Sequence, residues 1–138
     1  MKIRYVFAWF VLLAVAMING ALRDLTYGKY FSELQANQLS CVSGILLFAV
    51  AIRYYVRRWP PASAREAWFI GLFWMALTVA FEFLFFHYIG GHSWAELLAN
   101  YDVASGRLWP FILVWVAGAP YLFYRLFNMR TLNDARNR

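Results

Sequence analysis

AWFIGLFWMALTVAFEFLFFHYI, residues 67–89, decides the fold of this chain. One carboxylate, Glu82, interrupts a run that is otherwise almost wholly apolar and aromatic. A bilayer crossing needs roughly 20 apolar residues, with about 17 as the lower limit. The run lacks the strict alternation of a barrel strand, so it reads as a helix. In hydrocarbon only helices and closed barrels satisfy their own backbone groups.

Working outward, three more blocks of the same kind appear. They cover residues 5–22, 38–56 and 108–125. Hydrophobic residues make up 63% of the 138 positions and charged residues 14%, against about a quarter charged in an ordinary soluble domain. The expected fold is therefore an all-α integral membrane protein. It is a single domain, a four-transmembrane-helix bundle. The first block follows Lys2 and Arg4 as a secretory leader would, but its apolar core exceeds the usual leader length. The A-x-A-like Ala14 and Ala16 lie inside that core, so an uncleaved span is expected. A lone cysteine, Cys41, rules out an internal disulfide and reads as a small packing residue.

The net charge of +6 is topological in its placement. Lys2, Arg4, Arg53, Arg57, Arg58, Arg65, Arg125, Arg130, Arg136 and Arg138 flank one side of the blocks. Arg23, Lys29 and Arg107 fall on the other. The positive-inside rule then makes both termini cytoplasmic and puts the 23–38 and 90–107 connections outside. A bacterial inner membrane is the expected location. Charges that flank spans without a binding motif argue against a nucleic-acid partner. The acids show the opposite bias: Asp24, Glu33, Glu82, Glu96 and Asp102 belong to the outer half, with both histidines.

Local signals punctuate the blocks. Pro60-Pro61 makes a tight inner turn, because neither residue can continue a helix. Gly90-Gly91 ends the third block. Ser93-Trp94-Ala95-Glu96 matches a capping box, and Trp94, Leu97, Leu98 and Tyr101 follow at helical spacing. A short interfacial helix on the outer membrane surface is expected there. Pro120 follows Ala117-Gly118-Ala119 and should bend the last span against a neighbouring helix.

Three constellations could carry function. The first is Glu82 with Arg23, supported by Asn19 and Gln38 at the outer ends of the first three spans. An acid inside an apolar helix needs a cation, a donor or a proton, and intramembrane acids lean towards function. The group reads either as a proton- or cation-responsive site on an ion or solute path, or as an ion pair fixing helix packing. The second is His87 with His92, which could ligate a metal or haem or simply sit at the interface. No cofactor is otherwise implied. The third is Asp102 with Arg107, expected as a local ion pair closing the outer loop.

No P-loop, G-x-S-x-G elbow, H-E-x-x-H helix or cysteine pair is present, and neither Ser93 nor Ser105 has a nucleophile setting. The leading expectation is a small non-enzymatic membrane component. It would be an accessory, assembly or protective subunit that meets the lipid bilayer and either a larger membrane-protein partner or its own copy. The alternatives are a small oligomeric transporter or channel using Glu82 and Arg23, and a redox or metal protein using His87 and His92.

Overall fold

The computed structural model describes residues 3–99, 101–102 and 106–137. Lys2, Ser105 and Arg138 lie outside the described residues. Among the described residues the order is five α-helices and one 3-10 turn: α1 (Ile3–Leu25), the turn Tyr27–Lys29, α2 (Glu33–Arg58), α3 (Ala64–Tyr88), α4 (Trp94–Ala99) and α5 (Trp109–Arg136). No strand occurs among the described residues. Helices α1, α2, α3 and α5 are each long and apolar enough to cross a membrane.

Helices α2, α3 and α4 each begin where a serine side chain satisfies a free N–H group. Ser32 opens α2 with a full capping box: its Oγ accepts from Gln35 N at 3.1 Å, and Gln35 Oε1 accepts from Ser32 N at 3.3 Å. Ser63 caps α3 through Glu66 N, and Ser93 caps α4 through Glu96 N. Pro110 stands in the first turn of α5, where its missing N–H costs nothing. Trp59 ends α2 just before the proline pair, and Gly91, at φ +72°, turns the chain after α3.

Two connections differ from the sequence expectation. The Ser32 cap starts α2 five residues before the apolar block, so the 23–38 connection shrinks to a compact turn around Tyr27–Lys29. At the other extreme α5 continues past residue 125 to Arg136. Pro120 is buried inside this helix without ending it.

The helices run up and down, so both termini share one end with the Pro60-Pro61 turn. We call it the termini end, and the opposite one the loop end. The core lies in the termini half. Trp74 and Ile52 are 0% exposed, and Ile70 and Val56 1%. Tyr55 meets Trp74 edge-on at 5.1 Å between ring centroids. Gly71 explains the close approach of α3 to α5, since a Cβ there would lie 2.0 Å from the Ala117 carbonyl oxygen. Around this core the outward faces stay apolar: Phe7, Val11, Leu46, Val50, Leu72 and Val114 are all exposed. Water-soluble monomers rarely show contiguous patches of that kind.

Candidate functional site

Helices α1 and α3 touch at the termini end through polar staples. Trp74 Nε1 donates to the Tyr5 carbonyl at 2.8 Å, Trp9 Nε1 to Thr78 Oγ1 at 3.1 Å, and Tyr5 OH to Glu66 at 2.8 Å. Beyond Trp9 and Thr78 the two helices part. Between them, backed by α2 and α5, lies a cavity of about 930 Å³. Its floor is apolar, with Trp9, Leu12, Leu13, Ala16, Phe48 and Val116. Its mouth carries Arg23, Asp24, Glu33, His92 and Arg107. Measured along α1 from Trp9 to Arg23, it runs about 20 Å at 1.5 Å per residue.

Glu82 reaches the wall of this cavity from α3 and is only 7% exposed. Tyr101 OH and Trp109 Nε1 both donate to its Oε2, each at 2.8 Å. Among the described residues Oε1 has no donor, and no cation lies within ion-pair distance of the carboxyl. Two neutral donors on one oxygen suit a buried carboxyl and hold the segment around Tyr101 against the bundle. The Tyr101 hydroxyl is pushed upward in pKa. Burial does most of this, and the hydrogen bond and negative charge of Glu82 add to it.

The expected Glu82–Arg23 grouping therefore divides. Both residues line the same cavity, but Arg23 Nε pairs with Asp24 at 3.0 Å and its Nη1 donates to Ser40 Oγ at 3.1 Å. Asn19 belongs with Arg23, clasping α1 to α2. Its Nδ2 donates to the Ser40 carbonyl at 2.8 Å and its Oδ1 accepts from Ser43 Oγ at 2.8 Å. Gln38 does something else: its Nε2 donates to the Gly106 carbonyl at 2.9 Å and ties the last connection to α2. Gly106, at φ +90°, takes a backbone conformation that L side chains rarely adopt.

The histidines close the corner between α3 and α4. His87 stacks on Trp94 with ring centroids 3.7 Å apart, and its Nδ1 is 2.8 Å from the His92 carbonyl. His92 Nδ1 is 2.9 Å from Glu96 Oε2. This contact is the main cause of a lowered Glu96 pKa, opposed by desolvation. Among the described residues no three metal-ligating side chains come together. Asp102 and Arg107 meet through the backbone, where Arg107 N donates to the Asp102 carbonyl at 3.3 Å. The Arg107 guanidinium reaches further, to Glu33 on α2 at 3.6 Å.

Tyr101, Trp109, Ser40, Ser43 and Glu33 take part in this site although the sequence reading did not assign them to it. For Ser40 and Ser43 the clue is their spacing of three beside Gly44, opposite Asn19. Tyr101 and Trp109 carry no local clue, since their approach to Glu82 depends on how the 90–107 connection folds back. No protein family, curated protein or solved structure matches this chain.

Proposed function

We propose that this chain is a non-enzymatic integral membrane protein whose cavity between α1 and α3 binds a lipid-like amphiphile. The carrying observation is the two-part lining of that cavity, charged at the mouth and apolar at the floor. An apolar chain lying between Trp9, Leu13 and Phe48 would leave its polar head among Arg23, Asp24, Glu33 and Arg107. The rim offers two cations and two anions, each cation beside an acid. Such a rim complements a zwitterionic head better than a purely anionic one. Glu82 Oε1 supplies one hydrogen-bonding atom part-way down, where burial strengthens any polar contact.

The same reading places both termini in the cytoplasm of a bacterial cell, from the basic residues at the termini end. The cavity then opens to the outer leaflet, with α4 at the interface. The support is the charge distribution and the partly exposed aromatic Trp94.

The test is lipid retention. Protein purified in a mild detergent should carry a bound zwitterionic phospholipid into native mass spectrometry. Ala16→Trp, which fills the cavity, should remove it, and Glu82→Gln should weaken it. Retention by Ala16→Trp equal to that of the wild type would end this reading.

A second reading, the accessory subunit, is favoured by Gly118. A Cβ there would meet nothing within 4 Å, and the exposed Val114 and Leu122 lie one turn to either side. Small residues on a lipid-facing helix let a second helix approach closely. Recovery of a partner at fixed ratio, lost in Gly118→Leu, is the outcome this reading expects.

A further inference from the structure

A second groove, of about 370 Å³, lies between α1 and α2 at the termini end, and meets the α1–α3 cavity only at Leu12. Ala8, Val11, Leu12, Ala51 and Ile52 give it an apolar bed. Two polar groups break that bed. Tyr55 is 4% exposed, and among the described residues its hydroxyl has no hydrogen-bond partner. The Arg4 Nε is also buried and, among the same residues, also without a partner. Native interiors pair nearly all such atoms, so two orphans lining one groove point to a missing acceptor. The groove is bordered by Phe7, Val11 and Tyr54, all strongly exposed, so it opens sideways onto the apolar surroundings of the bundle.

We propose that this groove holds one acyl chain of an anionic phospholipid, with its phosphate between Arg4 and the Tyr55 hydroxyl. The Arg4 Nε can only donate, and the neighbouring Tyr55 hydroxyl also carries a proton to give, so a ligand oxygen set between them would satisfy both. Arg4 has no carboxylate within ion-pair distance among the described residues. The nearby Glu66 accepts from Tyr5 OH and from Ala62 N. Arg57 and Arg58 at the end of α2 add positive potential at headgroup level. Basic pockets between helices at that level recognise anionic headgroups. This inference stands apart from the amphiphile reading of the α1–α3 cavity, because the two sites share no polar residue.

The experiment follows thermal unfolding by tryptophan fluorescence in a neutral detergent. Phosphatidylglycerol is titrated against phosphatidylcholine of identical chains. Phosphatidylglycerol should raise the Tm saturably, and phosphatidylcholine should not match it. Tyr55→Phe removes one oxygen and nothing else. Without lipid it should unfold at or slightly above the wild-type temperature, since it deletes an unsatisfied group. With phosphatidylglycerol its midpoint should shift about tenfold upward, the scale of one hydrogen bond to a charged group. Arg4→Gln should shift it further, and Ala16→Trp and Arg125→Gln should leave it unchanged. Equal responses to the two lipids, or a Tyr55→Phe midpoint equal to the wild type's, would overturn the proposal. So would displacement of phosphatidylglycerol by an equal concentration of free fatty acid, which would assign the groove to a carboxylate. Should Arg4→Gln fail to fold, the near-isosteric Tyr55→Phe carries the test alone.

Discussion

Helix α3 meets its two neighbours in opposite ways. Against α5 it packs backbone to backbone, with Gly71 set on the Ala117 carbonyl and Trp68 stacked on Tyr121 at 5.0 Å. Against α1 it is held by hydrogen bonds at the termini end and parted by a cavity at the loop end. Small residues produce the first contact, because they let two helix backbones approach closely. Indole N–H groups produce the second, since each must find an acceptor away from water. The difference shows a bundle rigid along one seam and open along the other.

The largest effect should come from breaking the tight seam. Gly71→Val must displace the α5 backbone, and it should cost about 3 kcal/mol, the upper end of overpacking penalties. Denaturant titration in mixed micelles would measure it. A smaller loss would mean that α3 and α5 stand further apart than described.

Next comes the loop end. Glu82→Leu leaves the Tyr101 hydroxyl and the Trp109 N–H without their acceptor, for about 2 kcal/mol. Glu82→Gln keeps an acceptor and should cost less than half as much. Hydrogen exchange should show the loss confined to the segment around Tyr101 and the start of α5. Equal costs for the two variants would deny that hydrogen bonding holds this segment down.

Trp9→Phe removes the staple between α1 and α3 that lies nearest the cavity and should cost about 1 kcal/mol, near the net worth of one hydrogen bond. It should also deepen the cavity floor towards Tyr5, so longer apolar chains would be retained.

The smallest effect concerns α4. The Glu96 carboxyl is held below its ordinary pKa by His92, so the folded state favours its charged form. Its contribution is fully present above the unfolded value of about 4.3. It is lost as pH falls through the lower native value. The protection of α4 amides, relative to their intrinsic exchange rate, should therefore fall only in acid, and His92→Ala should abolish that dependence while leaving the other helices unchanged.

The four long helices were legible because apolar runs of that length have one stable form in lipid. Ser93 and Glu96 announced α4 correctly, and the proline pair announced its turn. The start of α2 was missed because hydropathy marks where lipid begins and says nothing of where a helix is capped. The Ser32-x-x-Gln35 box is the local signal that marks this cap. The extension of α5 was missed for the same reason: Leu126, Met129 and Leu132 continue a helix through residues too charged to count as a span. The Glu82 site was half legible. An acid in a span demands partners, and Arg23, at the outer end of the first span, is the cation the sequence offers. The true donors stand 19 and 27 positions further on, and only the folded connection brings them back.

The staples at Tyr5–Trp74 and Trp9–Thr78 sit at one extremity of two stiff rods, and this arrangement is a lever. Rocking α1 by about 6° around that fulcrum moves Arg23 by about 2 Å, given an arm of about 20 Å. Motion too small to disturb the packed half is thereby magnified where a guest would enter, so the aperture can breathe while the fulcrum stays still.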